Sequence, residues 1–89
     1  MTLEDLKRHL AEKVHNERNR CGWFQGDLAK KSGISEKTIS LIEQGRANPS
    51  LETIGRIANA LEVDMLEFFP EKRGIITIDL NALEALRNK

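Results

Sequence analysis

Tyrosine is absent from this 89-residue chain, which holds one tryptophan, three phenylalanines, two prolines and a single cysteine. Cys21 therefore has no internal partner, which excludes a disulfide framework and fits a reducing cytosol. At the end of a helix it reads as a half-buried small residue rather than a redox sensor. An excess of one charge sign is missing too. Fourteen basic residues balance fourteen acidic ones, so net charge gives no nucleic-acid signal, and non-specific attraction to a polyanion should be weak. No apolar run nears the ~20 residues that cross a bilayer, and no charged-then-apolar segment opens the chain as a secretion signal would. Repeats of solenoid period and low-complexity tracts are also lacking. Neither a nucleophile–base pair nor a Cys, His and carboxylate cluster at metal-ligand spacing occurs, so no enzyme, metal or cofactor is expected. His9 and His15 read as surface residues. The length allows one domain with a modest core and no separate effector domain.

Any charge that matters must be local. Residues 22–50 carry Lys30, Lys31, Lys37 and Arg46 against Asp27, Glu36 and Glu43, whereas residues 51–89 hold seven acidic against five basic residues. Within the first of these stretches, Gln25 to Gly45 reads as two short helices about a tight turn. Leu28 and the small Ala29 form the inner face of the first helix, and a methyl at Ala29 lets another helix cross close behind it. Ser32-Gly33 breaks that helix, since glycine takes left-handed backbone angles freely. Ile34 then points inward, and Ser35 stands where an N-cap belongs. The next helix buries Ile39 and Ile42 and ends at Gly45. A small residue, a glycine four on, and branched residues ten and thirteen on is the spacing of a helix-turn-helix.

The run QGDLAKKSGISEKTISLIEQGRANPSLETIGRIANALEVDMLEFF resembles the Cro/repressor-like (Xre-type) helix-turn-helix family, closely over about half of the chain and more loosely over the first helix. The resemblance implies an all-α, five-helix lambda-repressor-like domain over residues 1–70 that lays its third helix in the major groove of double-stranded DNA. Periodicity leaves Glu36, Lys37, Ser40, Leu41 and Gln44 facing outward. The family register implies that Ser35, Glu36, Lys37, Ser40 and Leu41 face base edges. Lysine suits guanine acceptors, glutamate takes a cytosine amino proton and leucine can lie on a thymine methyl. On an isolated helix the same residues would read as a solvated face. Gln25 is similar to the family's phosphate-touching glutamine, and Thr38, Gln44, Arg46 and Asn48 are expected at phosphates, with Lys31 a weaker candidate. Phe24 departs from the pattern, because a Ser or Thr usually caps the helix there and Phe cannot accept an amide proton. Gly26 weakens the same helix further.

Thr2 to about Arg20 reads as one long helix, with Thr2 and Asp5 as a cap pair. Leu3, Leu6, Leu10 and Val14 share one face. The next position of that stripe is Arg18, and Glu43 follows Ile39 on the inner stripe of the recognition helix. Two inward opposite charges explain each other best, and the phage repressors that this sequence resembles have an Arg–Glu pair at the matching positions. The alternative is that both reach solvent. Trp23 is expected in the core. Ser50 caps a fourth helix with Leu51, Ile54, Ile57, Ala58 and Leu61 inward. Asp64 and Glu67 suggest a capping box for a fifth short helix, with Val63 stapled onto Phe68, Met65, Leu66, Phe68 and Phe69 as its core residues and Pro70 as its stop.

Residues 71–89 change character, and a strand–helix extension is expected there. Ile75 to Ile78 is β-branched and strand-like, and a lone strand leaves its backbone groups unpaired. Every earlier apolar run has helical spacing, so the simplest partner is the same strand of a second copy. Ile75, Ile76, Ile78, Leu80, Leu83 and Leu86 are the expected homodimer contacts; a frayed or folded-back tail is the alternative. The function expected is a cytoplasmic, prokaryotic or phage DNA-binding transcriptional regulator. A toxin-binding antitoxin and a protein-interaction adaptor without DNA binding are the alternatives.

Overall fold

Local capping signals decide where the helices of this chain begin. In the computed structural model, which describes residues 2–69, α1 spans Leu3–Arg20, α2 Gln25–Ser32, α3 Glu36–Glu43 and α4 Leu51–Leu61. Thr2 and Asp5 form a reciprocal box: Thr2 Oγ1 accepts the Asp5 amide and Asp5 Oδ2 accepts the Thr2 amide, both at 3.1 Å. The Thr2 amide, which donates to it, and then the Thr2 hydroxyl hold the Asp5 carboxyl below its ordinary value. Ser35 and Ser50 accept the amides of Thr38 and Thr53 at 3.1 Å and so start α3 and α4. Only α2 lacks a side-chain cap, as Phe24 requires; Asp27 Oδ2 takes the Phe24 amide at 2.8 Å, which is half of a box.

The described residues are all-helical, with no strand among them. The fifth helix expected after Asp64 is instead a single 3-10 turn, Met65–Phe68. Asp64 Oδ1 accepts from the Leu66 amide at 2.9 Å. Glu67 does not reach back to close the box. Its carboxylate lies 3.3 Å from Lys13 Nζ and its carbonyl accepts from His9 Nε2 at 3.1 Å, so α1 holds the groups that would have continued a helix. The strand expected at 75–78, the helix after it and the dimer residues Ile75, Ile76, Ile78, Leu80, Leu83 and Leu86 lie outside the described residues.

Helix α1 packs on α3, on the 65–68 turn and, less extensively, on α4, while α2 packs on α3 and α4. Their inner faces meet in one cluster of Leu10, Val14, Leu28, Ile39, Ile42, Ile54, Ile57, Ala58, Leu61 and Phe68. Each large member contributes about 1.5–3 kcal/mol by burial. Three residues expected inside are not: Leu3 is 53%, Leu51 67% and Leu66 48% exposed. Leu3 and Leu51 are first-turn residues, whose side chains lean toward the helix N-terminus and here project past the packed region. Ala11 is buried in their place. Leu66 lies on the outer side of the 3-10 turn, whose Phe68 faces the core. Trp23 is half-buried at the edge of the core.

Candidate nucleic-acid interface

The angle between α2 and α3 is fixed by a buried serine. Ser32 Oγ donates to the Leu28 carbonyl at 2.7 Å and accepts the Ile34 amide at 3.2 Å, so one hydroxyl ends α2 and starts the turn. Gly33 follows at φ 73°, a left-handed angle that a side chain there would strain. Ile34 packs against the core, and Ser35 caps α3.

The far end of α3 is tied to α1 by charge. Arg18 Nε donates to Glu43 Oε2 at 2.7 Å and Arg18 Nη2 to Glu43 Oε1 at 2.9 Å, a two-pronged contact. The two side chains are only 10% and 5% exposed. Arg18 Nη1 also donates to the Trp23 carbonyl at 2.7 Å, which fastens the loop before α2. Sequence reasoning did not supply the rest of the cluster. His15 Nδ1 lies 3.0 Å from Glu43 Oε1, and Gln25 Nε2 donates to the same oxygen at 3.4 Å. The position of His15, three before Arg18, was the only available signal. Burial by itself raises the Glu43 carboxyl, but the hydrogen bonds from Arg18, His15 and Gln25 outweigh it and hold the group below the ordinary carboxylate value. Glu43 in turn, through its hydrogen bonds to Arg18, keeps the guanidinium above its ordinary value. Gln25, expected at a phosphate, is thus half-buried and joined to the ion pair.

Along the outer side of α3, Ser35, Glu36 and Lys37 are exposed, and Ser40 and Leu41 are half-buried. Ser35 Oγ also donates to Thr38 Oγ1 at 2.8 Å, so both hydroxyls serve the cap. Gln44 Nε2 donates to Ser40 Oγ at 2.8 Å, and Arg46 Nη1 to Gln44 Oε1 at 3.3 Å. These bonds link the helix face to the loop after it, where Asn48 is exposed. Lys31 lies 5.4 Å from the Trp23 ring centroid, a cation–π contact away from this ladder.

Pairing of charges separates this region from the rest of the molecule. Among the described residues, Lys7, Arg8, Lys13, Arg18, Arg20 and Arg56 each have a carboxylate within 3.8 Å. Lys30, Lys31, Lys37 and Arg46 have none among the described residues. Of the described cations, those without a carboxylate partner therefore lie between residues 30 and 46, in α2, α3 and the loop after them. No group of three His, Cys, Asp or Glu residues is placed to hold a metal among the described residues, and no described helix is long and apolar enough to cross a membrane.

Comparison with known proteins points the same way. The family model HTH_3, described as helix-turn-helix, matches residues 14–68. The chain is 43% identical over 56 residues to the antitoxin HipB of Escherichia coli O6:H1, covering 63% of this chain and 60% of that protein. It is 30% identical over 66 residues to the HTH-type transcriptional regulator SutR of Escherichia coli K12, covering 74% of this chain and 37% of that one. The chain therefore spans less than two thirds of the length of each of these relatives, 60% of HipB and 37% of SutR. Among solved structures it resembles the restriction-modification controller protein C.AhdI from Aeromonas hydrophila, with a TM-score of 0.69 and 31% identity, over 73% of this chain and 97% of that one.

Proposed function

The chain belongs to the helix-turn-helix family HTH_3, of the Xre type, and on that premise we propose that it is a sequence-specific DNA-binding transcriptional regulator. It acts as a repressor, laying α3 in the major groove of a palindromic operator as a homodimer in a prokaryotic or phage cytoplasm. Residues 1–70 form the DNA-binding domain, and residues 71–89 dimerise through Ile75, Ile76, Ile78, Leu80, Leu83 and Leu86. The observation that carries this reading is that, among the described residues, the lysines and arginines with no carboxylate partner are Lys30, Lys31, Lys37 and Arg46, in α2, α3 and the loop after them. In a chain with no net charge, that concentrates attraction for phosphate where base-reading side chains are also available. Ser35, Glu36, Lys37, Ser40 and Leu41 read base edges, while Gln25, Thr38, Gln44, Arg46 and Asn48 position the backbone. A fold of this family is a DNA-binding regulator rather than an enzyme.

A second reading is favoured by the relatives named HipB and HigA1, both antitoxins. In that case the same domain binds its promoter and the tail grips a toxin. A small toxin-like reading frame beside the gene distinguishes the two.

Binding measurements on a selected operator test the main reading. Lys37→Ala should cost roughly 1–3 kcal/mol and relax preference at one position. Arg46→Ala should weaken binding to all sequences alike and reduce the salt slope by about 1. If neither substitution alters binding, α3 does not dock as proposed.

A further inference from the structure

We propose that Gly26 sets the direction of the Glu36 carboxylate and so determines selectivity at the base pair that Glu36 reads; this rests on the DNA-binding role argued above. Gly26 is the second residue of α2 and Glu36 the first of α3, so the turn sets two helix starts side by side. A Cβ added to Gly26 would stand 3.1 Å from Glu36 Oε1 and 3.7 Å from its Cδ. Real Cβ contacts are rarely so tight, so the missing side chain is what lets the carboxylate lie against the first turn of α2. That turn is the positive end of the helix dipole, which favours an anionic oxygen there.

The backbone does not ask for glycine at this position. Left-handed angles occur at Gly22, Gly33 and Gly45, not at Gly26. Glycine is a poor helix former, and Phe24 has already removed the cap of the same helix. A residue that weakens a helix without serving its backbone points to a use in the site. Here the use is a notch. A carboxylate seated in it is held at the edge of α3 as an acceptor for a cytosine amino group, which is the contact a glutamate can make in the major groove. An alanine at position 26 pushes the carboxylate away by a few tenths of an ångström or turns it into another rotamer, and the acceptor leaves its place.

The test compares the natural chain, Gly26→Ala, Glu36→Ala and the double variant on a selected operator and all of its single-base variants, with thermal melts of each protein. Glu36→Ala should remove preference at one base pair of each half-site. Gly26→Ala should lower the discrimination at that same base pair by roughly threefold to tenfold, while melting a few degrees higher because alanine favours the helix. In the Glu36→Ala background, with no head group left to displace, it should change discrimination no further. Loss of affinity for every sequence alike, a change at a different base pair, or full additivity with Glu36→Ala would overturn the inference and leave the regulator role standing. A natural chain that binds DNA without any sequence preference would overturn both.

Discussion

Breaking the Arg18–Glu43 pair should strongly destabilise the domain, and removing both charges together should not. Glu43→Leu deprives Arg18 Nε and Nη2 of acceptors at 2.7 and 2.9 Å, leaving the guanidinium with only the Trp23 carbonyl and, at 3.3 Å, the His15 ring. Arg18→Met strands a carboxylate whose side chain is 5% exposed, although His15 and Gln25 still reach it. Stranding one member of a buried pair costs about 3–5 kcal/mol. A small domain has about 5–15 kcal/mol in total, so the lower figure already shifts Tm by roughly 12–24 °C. Arg18→Met should be the gentler of the two, because Glu43 keeps two donors. The double variant keeps the volume and has no charge to strand; it should lie within about 1–2 kcal/mol of the natural chain. Urea denaturation followed by the emission of Trp23, the sole tryptophan, and by circular dichroism measures all four corners of the cycle. Two single substitutions that each cost under about 1 kcal/mol and sum to the double, as independent exposed charges do, would refute the reasoning.

Acid should weaken the fold through the same group. Glu43 has its folded-state carboxyl held below 4.5, as has Glu17, where the bonds from Arg20 and Lys13 overcome an opposing effect of burial. A depressed carboxyl contributes stability above the unfolded value and loses it as pH falls through the folded one. Urea midpoints should therefore hold down to about pH 5 and fall below it; a rise on acidification would contradict this. Phe24→Ser supplies the missing cap of α2 and removes a side chain that is 81% exposed, so a gain of about 1 kcal/mol is expected in a thermal melt, against no gain if Asp27 already suffices. In sedimentation at micromolar concentration, residues 1–89 should run as a dimer and a chain ending at Lys72 as a monomer; the reverse of either result excludes the tail as the interface.

The parts of the fold that were legible in the sequence are those decided within a few residues. Thr2 with Asp5, Ser35, Ser50 and Gly33 each announce a helix boundary by chemistry that acts over three or four positions. The stripe of Ile54, Ile57, Ala58 and Leu61 shows the inner face of α4 in the same way. What periodicity could not convey is where a neighbouring helix ends. Leu3 and Leu51 fit their stripes and still project past the packed region, while Ala11 is covered. Asp64 and Glu67 have the spacing of a capping box, yet Lys13 and His9, more than fifty residues away in sequence, claim Glu67 instead. Arg18 and Glu43 stood out as inward charges, but the share of His15 and Gln25 in the cluster depends on how α1, α2 and α3 converge. The notch at Gly26 is of the same kind. The sequence shows only a helix-weakening glycine; its meaning comes from the carboxylate ten residues on.

Selection of bound duplexes from a random pool tests most directly whether the outward face of α3 reads DNA. The natural chain and a Lys37→Ala/Ser40→Ala/Leu41→Ala variant are run side by side. The natural chain should enrich two inverted half-sites spaced about one helical turn apart, roughly 34 Å, or a multiple of it. The variant should fold alike and lose that enrichment. A pool that stays unenriched with the natural chain, or the same motif recovered with the variant, would contradict the account.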